Sequence, residues 1–116
     1  MIIESLVIKY LNENEIQTFA EEPTSKPKEY VVIEKTADYV EEYINHCTFA
    51  FDIYSDSMFN TATLAEKVKR LMLDIIKYSS YVSSCDVENI YNNTDTIKKE
   101  YRYYGEFDLV YYDWMN

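Results

Sequence analysis

Glycine is almost absent from this sequence: Gly105 is the single glycine among 116 residues, and proline occurs only twice. Glycine takes positive φ angles more readily than any other residue, so a chain with one glycine must build its turns from other residues. We expect Asn, Asp and Ser to supply those turns. The same scarcity excludes glycine-rich phosphate loops and the dinucleotide-binding fingerprint. Gly105 itself falls in a predicted strand, where a glycine marks a bulge or a close backbone approach.

Apolar residues follow helical spacing in two segments. Near the start of the chain, one stripe at i, i+3, i+4, i+7 and i+8 predicts a helix over about residues 2–12, formed by Ile3, Leu6, Val7, Tyr10 and Leu11. A longer helix is predicted over about residues 58–78, where Asp56 and Ser57 are good N-cap residues. Its buried face is expected to carry Ala65, Val68, Met72, Ile75 and Ile76, supported by Leu64 and Leu71.

Strand-like segments fill most of the remaining sequence. β-branched and aromatic residues, or alternation of apolar with polar positions, predict strands at residues 16–20, 30–36, 43–55, 82–91 and 100–112. A polar loop with two prolines precedes the second strand, and the acidic residues 37–43 are expected to form a projecting hairpin tip or a flexible loop. Phe49, Phe51 and Ile53 share one face of their strand. In the last strand one face carries Tyr101, Tyr103, Phe107, Leu109 and Tyr111.

These elements predict a single α+β domain over residues 1–116. The expected architecture is a two-layer sandwich, in which an antiparallel sheet of about four to five strands is packed by the long helix 58–78 and the N-terminal helix 2–12. A helix that lies on an antiparallel sheet buries the apolar side of both, which is the usual two-layer solution for such a chain. A domain of this length buries enough surface to fold without a disulfide or a metal.

The chain is strongly acidic, with 21 Asp and Glu against 11 Lys and Arg and a formal net charge of −10. Residues 1–58 hold 12 acidic residues against 4 Lys, whereas residues 59–116 hold 9 against 7 basic residues. Binding to a nucleic-acid backbone depends on a basic patch, so the composition argues against that function. An acidic surface is instead compatible with DNA that passes without being held.

Residues that could carry chemistry are few. His46 is the single histidine, and its neighbour Cys47 is expected on the opposite face of the same strand, which argues against a nucleophile–base pair. Cys47 and Cys85 have no metal-ligand spacing and are interpreted as reduced cysteines of a cytoplasmic protein. No apolar run is long enough to cross a bilayer, and no signal peptide is recognised. We therefore predict no catalytic, cofactor-binding or metal-binding residue, and no enzymatic activity.

Tyrosine is the most unusual component, with 13 copies in the chain. One interpretation is a stacking platform for single-stranded nucleic acid, built from Tyr101, Tyr103, Tyr104, Tyr111, Tyr112 and Trp114. Such platforms lie in basic grooves, and this segment has few basic residues. The favoured interpretation is packing under a helix or against a neighbouring subunit, since tyrosine is enriched at protein interfaces.

Two passages of the sequence carry a resemblance to a known family. The first is the proline loop from Pro23 to Pro27 followed by the apolar strand Tyr30-Val31-Val32-Ile33-Glu34. The second is the strand Phe49-Ala50-Phe51-Asp52-Ile53-Tyr54-Ser55, which leads directly into the helix with Ala62, Leu64, Ala65, Val68, Leu71 and Met72. With the opening helix and the tyrosine-rich end, this order of elements resembles the tail terminator, or tail completion, proteins of long-tailed phages and prophages. The resemblance covers nearly the whole chain, and related head–tail connector proteins have a similar build.

The resemblance implies a structural role in virion assembly. Tail terminators form a ring, usually of six subunits, at the head-proximal end of the finished tail tube. The ring ends tube polymerisation and offers a joining face for the head, and DNA passes through without specific binding. The implied partners are other copies of the chain, the tail tube protein and head–tail connector proteins. The implied location is the bacterial cytoplasm during assembly and then the virion tail, with no membrane.

Contacts between subunits are expected from exposed strand edges and from the acidic segment at 36–43. The hypothesised interface residues are Tyr39, Glu41, Glu42, Tyr101, Tyr103 and Tyr111. Two other functions stay open at this point. One is a head–tail connector or neck protein, and the other is a small acidic binding or inhibitor module that mimics nucleic acid.

Overall fold

A computed structural model describes residues 2–112 of the chain. The helices are α1 (Ile3–Glu13), α2 (Met58–Leu73) and α3 (Ile75–Tyr78). The strands are β1 (Thr18–Phe19), β2 (Tyr30–Glu41), β3 (Ile44–Ser55), β4 (Val82–Asn92) and β5 (Tyr101–Tyr112). The predicted α+β class is therefore confirmed, and every predicted helix and strand is present within a few residues of its expected bounds.

The five strands form one sheet in the order β1-β2-β3-β5-β4. All neighbouring pairs are antiparallel except β1 and β2, which run parallel and pair Thr18 with Val31 and Phe19 with Val32. The sheet is thus mixed, and the expectation of a purely antiparallel sheet was wrong at this edge. The reason lies in the proline-containing loop: residues 20–29 are long enough to carry the chain back to the end at which β1 begins, so β2 starts again in the same direction.

The second helix is interrupted near its end. Ser57 is its N-cap, and the Ser57 side chain accepts a hydrogen bond from the Asn60 amide at 3.0 Å, as its position before the helix predicted. The single helix expected over 58–78 instead stops at Leu73, and Asp74 separates it from the short α3. Because the path changes direction at Asp74, Ile75 is fully buried but Ile76 is 44% exposed. Ile76 was therefore placed wrongly on the buried face.

The apolar core lies between the helices and one face of the sheet, which we call the covered face. Strand alternation decides which residues reach it: Phe49, Phe51 and Ile53 are fully buried, as predicted. They pack in one cluster with residues of α1, α2 and β5, among them Val7, Leu11, Val68, Met72, Phe107 and Leu109. No helix covers the opposite face of the sheet in residues 2–112, and we call it the open face. Its residues include Thr48, Asp52 and Tyr54 of β3, which are half-buried.

Gly105 lies opposite Phe51 on β3 and Ile90 on β4, without a bulge in its own strand. A Cβ at this position would lie 3.1 Å from Cε2 of Phe107 and 3.4 Å from Cγ1 of Ile90. The groups that approach Gly105 are the Phe107 ring and the Ile90 side chain, so neither predicted explanation, a bulge or a close backbone approach, describes this position.

Positive φ angles occur at four residues other than glycine in the described chain, namely Glu15, Glu42, Tyr43 and Lys99. None of them is Asn, Asp or Ser, so the prediction that these residue types supply the turns was wrong at the positions with positive φ angles. The polar turn residues act through their side chains instead. Asp95, for example, accepts hydrogen bonds from the Ile97 and Lys98 amides in the β4–β5 connection.

Candidate functional site

The far end of the β2–β3 hairpin, residues 38–44, projects past the helices and is called the arm. The acidic segment predicted as a hairpin tip or a flexible loop is thus a hairpin: β2 continues to Glu41, which pairs with Ile44. The two residues between them, Glu42 and Tyr43, have φ angles of 51° and 68°. Two-residue hairpin turns of this kind normally use Asn and Gly. A bulky residue in this conformation is strained by about 1 kcal/mol or more.

Apolar side chains on the arm face solvent. Tyr43 is 94% exposed at the tip, and Val40 is 64% exposed beside it. Tyr39 is 56% exposed and stacks on His46, with ring centroids 4.7 Å apart and planes 5° from parallel. The chain's own core uses none of the arm's large apolar groups between Tyr39 and Tyr43. Apolar groups presented on a hydrogen-bonded hairpin are suited to contact with another molecule.

The base of the arm is held by an ion-pair group. The register of β2 and β3 shifts between Lys35 and Ala37, which places Lys35 and Asp38 on the same face. The Lys35 ammonium lies 2.9 Å from a carboxylate oxygen of Asp38 and 3.5 Å from one of Glu4 on α1. The hydrogen bond that Lys35 donates to Asp38 raises the pKa of Lys35, and burial opposes that rise. These ion pairs connect the base of the arm to α1.

A second exposed surface is the outer face of α2, lined by Phe59, Ala62, Thr63, Glu66, Lys67 and Arg70. These residues recur with helical spacing and border a shallow depression of about 490 Å³. Phe59 is 79% exposed. Glu66 is shared by Lys69 at 3.2 Å and Arg70 at 3.4 Å, whereas Lys67 has no ion pair within residues 2–112. The surface thus combines an exposed aromatic ring with an excess of positive charge.

The open face of the sheet has the opposite charge. Its carboxylates come from four strands, and they are Glu34, Asp52, Asp86, Glu88, Glu106 and Asp108. Asp86 and Asp108 lie directly opposite each other, an arrangement in which like charges repel. Asp108 also accepts a hydrogen bond from the Thr48 hydroxyl at 2.6 Å. Among residues 2–112, Arg102 is the single Lys or Arg that the strands place on this face.

Two of these carboxyl groups show the effect of crowding. Burial raises the pKa of Asp52, and the nearby Arg102 only partly opposes the rise. The pKa of Glu88 is raised by its hydrogen bond and charge interaction with Asp108. Glu88 occupies the register shift between Val87 and Asn89, which brings its side chain beside Asp108. The open face therefore carries carboxylates that are partly buried or repel one another at neutral pH.

The hypothesised interface residues fall into two groups. Tyr39, Glu41 and Glu42 are exposed on the arm. The three β5 tyrosines face the helices instead: Tyr101 and Tyr103 are half-buried, and Tyr111 is 8% exposed within the core. Burial raises the pKa of Tyr111 to about 12. Tyr111 offers almost no side-chain surface to a neighbouring subunit, so we leave it out of the proposals below.

Sequence reasoning missed several of the exposed apolar residues. Val40 and Tyr43 lie in an acidic run, and Phe59 begins the outward stripe of α2. The available signal was an apolar residue placed between charges in a segment with no core to bury it. The acidic neighbours obscured this pattern, because a run of charged residues is normally interpreted as a solvent-exposed loop.

The two cysteines and the histidine are arranged as predicted. Cys47 and Cys85 are both free and buried, and burial raises the pKa of each thiol to about 12, so both are protonated at neutral pH. His46 lies on the open face, opposite in direction to Cys47. Within the described part of the chain, no group of three or more His, Cys, Asp or Glu residues is placed to hold a metal ion. No helix in residues 2–112 has the length and apolar character required to cross a membrane.

No protein-family model matches the chain, and no curated protein is significantly similar to it in sequence. The function is therefore proposed from the surfaces described above together with the order of elements in the sequence.

Proposed function

We propose that the chain is a self-assembling structural subunit that forms a ring at the head-proximal end of a phage or prophage tail tube. In this role the ring ends tube polymerisation and provides the surface that joins the head. The observation that carries the proposal is the arm, which presents Tyr39, Val40 and Tyr43 on an ordered hairpin that the domain does not need for its own core. The resemblance of the sequence to tail terminators is the reason for proposing a tail ring rather than another assembly.

Free strand edges support a closed assembly. Within residues 2–112, β1 pairs with only Val31 and Val32, which leaves the rest of the outer edge of β2 without a strand neighbour. The outer edge of β4 is free along its length in the same residues. Long free edges invite open-ended association unless something covers them. A ring with closed symmetry covers such edges with neighbouring copies and limits the size of the assembly.

The acidic balance supports passage of DNA through such a ring. Six carboxylates on the open face repel a phosphate backbone, and the strands offer one Arg against them in the described chain. A lumen lined by this face would leave DNA free to slide, because phosphate binding depends on Lys and Arg contacts.

The first experiment measures the native mass of the purified protein across a concentration series, with negative-stain images of large species. A closed oligomer with a central hole, six-fold in the simplest case, is expected. The second part adds the protein to isolated tail tubes and measures their growth with excess tube protein. Terminated tubes are expected. Tubes that continue to grow at saturating protein, together with a monomeric chain, would contradict the proposal. Binding to head connectors without any effect on tubes would indicate the neck protein instead.

The open face favours a second candidate, a small acidic module that mimics nucleic acid. Asp86 and Asp108 lie opposite each other with Cβ atoms about 5 Å apart, and the open face also carries half-buried tyrosines such as Tyr54 and Tyr104, a pattern that could imitate phosphates and bases. A mimic should form a one-to-one complex with a basic nucleic-acid-binding protein and compete with its nucleic acid. Replacing Asp52, Glu106 and Asp108 by their amides should abolish that complex but leave any ring intact, which separates the two functions.

A further inference from the structure

We propose that the arm of one subunit docks on the outer face of α2 of a second copy. Tyr43 would pack against Phe59 and Ala62, and Glu41 and Glu42 would lie opposite Lys67 and Arg70. The inference rests on the proposed ring and names the surfaces through which neighbouring subunits meet. The molecule that binds the α2 face is a second copy of this chain.

The two surfaces lie toward opposite ends of the molecule. β3 leads from the arm at Ile44 to Ser55, which pairs with Tyr101, and α2 begins three residues after Ser55. A strand of this length spans roughly 40 Å and a helix such as α2 about 24 Å, so α2 ends well short of the arm tip. The longest dimension of the protein is 47 Å, against 24 and 23 Å for the other two. The arm cannot reach the outer face of α2 in its own chain, so the contact forms only between copies.

The charges on the two surfaces are complementary. Glu41 and Glu42 are exposed and have no ion pair within residues 2–112. On α2, Lys67 is likewise unpaired in that range, and Arg70 and Lys69 share the single carboxylate of Glu66. An excess of negative charge on the arm therefore meets an excess of positive charge on the helix. Complementary charges of this kind favour the correct pair of surfaces and speed their encounter.

The apolar parts of the two surfaces match as well. Tyr43 is the most exposed aromatic residue on the arm, and the depression on α2 is bordered by Phe59 and the small Ala62. Aromatic residues that enter such depressions contribute most of the binding energy at protein interfaces, whereas exposed ion pairs contribute little each. The positive φ angle at Tyr43 fixes the direction in which its side chain leaves the turn. The strained turn thus positions the anchor of the contact.

The contact joins two different surfaces, so it can propagate from copy to copy as a heterologous contact. A heterologous contact closes into a ring when its rotation permits and otherwise extends into a filament. Two copies that dock their arms on each other would instead form a closed twofold dimer. The proposed ring therefore requires each arm to dock on the next copy around the ring.

Charge exchange across the contact provides the test. The double variant E41K/E42K and the double variant K67E/R70E should each weaken association at least tenfold, as measured by sedimentation velocity over a concentration series. A chain that carries all four changes should associate again, because the opposite charges are restored in reversed order. The control matched to E41K/E42K is E15K/E21K, which makes the same change in net charge at two exposed residues away from both surfaces. The control should associate like the unmodified chain.

A cross-linking experiment tests the same contact when association is weak. Tyr43→Cys and Ala62→Cys are placed in separate chains, which are mixed and oxidised; the native Cys47 and Cys85 are buried and should not react. Covalent dimers are expected from the mixture and not from either variant alone. Circular dichroism and thermal unfolding verify that every variant is folded.

The outcomes separate this inference from the proposed ring. Rings that persist in both charge-reversed variants, with no cross-link in the mixture, would overturn the docking of the arm on α2 and leave the ring standing. A chain that remains monomeric at millimolar concentration, forms no cross-link and does not terminate tail tubes would overturn both. Restored association in the four-residue variant supports the docking when the control E15K/E21K associates normally, since the control shows that a change in net charge alone does not weaken association.

Discussion

Alternate residues of the twelve-residue strand β3 form its two faces, and the two faces differ in burial and in charge. On the covered face, Phe49, Phe51 and Ile53 are fully buried against the helices. On the open face, Asp52 lies among carboxylates of the neighbouring strands, and burial raises its pKa. The covered face stabilises the domain, whereas the open face accumulates repulsion that a fold would avoid if stability were the sole requirement. The open face therefore contributes less to the stability of the domain than the covered face does.

The strongest test of this difference is a truncation on the covered face. Phe51→Ala removes a fully buried ring that contacts Phe49 and Phe107, and it should lower the free energy of unfolding by about 3–5 kcal/mol. Denaturant unfolding monitored by circular dichroism measures the change. The matched variant on the opposite face is Asp52→Ala, one residue away, for which we expect a change within about 0.5 kcal/mol. Similar losses in the two variants would show that the faces do not differ in the way described.

A smaller effect is expected at Gly105, where the Phe107 ring of the same strand lies close to the backbone. Gly105→Ala should destabilise the protein by about 1 kcal/mol, because the new methyl group meets the fully buried Phe107 ring at 3.1 Å. In a Phe107→Leu background the same substitution should cost less, since the shorter side chain leaves room. The coupling is obtained from a double-mutant cycle by denaturant unfolding. An equal cost in both backgrounds would mean that the ring does not determine the need for glycine.

The smallest effect concerns pH and the open face. Asp52 and Glu88 have raised pKa values in the folded state, so between their ordinary and raised pKa values the folded chain binds more protons than the unfolded chain. These two groups therefore stabilise the folded state as the pH falls through their raised pKa values. This stabilisation is lost as the pH rises above those pKa values. Urea midpoints at pH 7 and pH 5 measure this trend.

Amide variants identify the groups responsible for the pH trend. Asp52→Asn and Glu88→Gln should each reduce the gain in stability between pH 7 and pH 5, because the crowded carboxyl is gone. Asp56 and Glu66 act in the reverse direction, since hydrogen bonds lower their pKa values. Their effect appears as the pH falls through those lowered values, below the range tested. A pH trend that is unchanged in both amide variants would exclude crowding on the open face as its cause.

Sequence patterns predicted the parts of this fold that depend on local periodicity. Alternation placed Phe49, Phe51 and Ile53 correctly, and a 3.6-residue stripe located α1 with its five buried residues. Periodicity says which face a residue takes but nothing about strand direction, so the parallel pairing of β1 with β2 was not foreseen. Nor does it report local interruptions: the break at Asp74 turned Ile76 to the solvent.

The candidate site was less predictable than the fold. Glu41 and Glu42 were singled out by their charge, and the structure places them on the arm. The positive φ angles of Glu42 and Tyr43 have no sequence signal, because neither residue type prefers that conformation. Tyr111 was assigned to the interface by its residue type, although its position in the alternation of β5 already directs it to the covered face. Residue type indicated an interface, and position along the strand decided which tyrosines could belong to it.

The strand order has a consequence for how the chain folds during synthesis. β3 pairs with β5, which is translated after every other described element, and β5 also lies between β3 and β4. Until residue 112 has left the ribosome, one edge of β3 lacks its strand partner and the rings of Phe49 and Phe51 lack Phe107. The nascent chain therefore carries an incomplete, aggregation-prone sheet for most of its translation. Insertion of β5 completes the sheet in one late step, so cooperative folding should follow the synthesis of β5 rather than precede it.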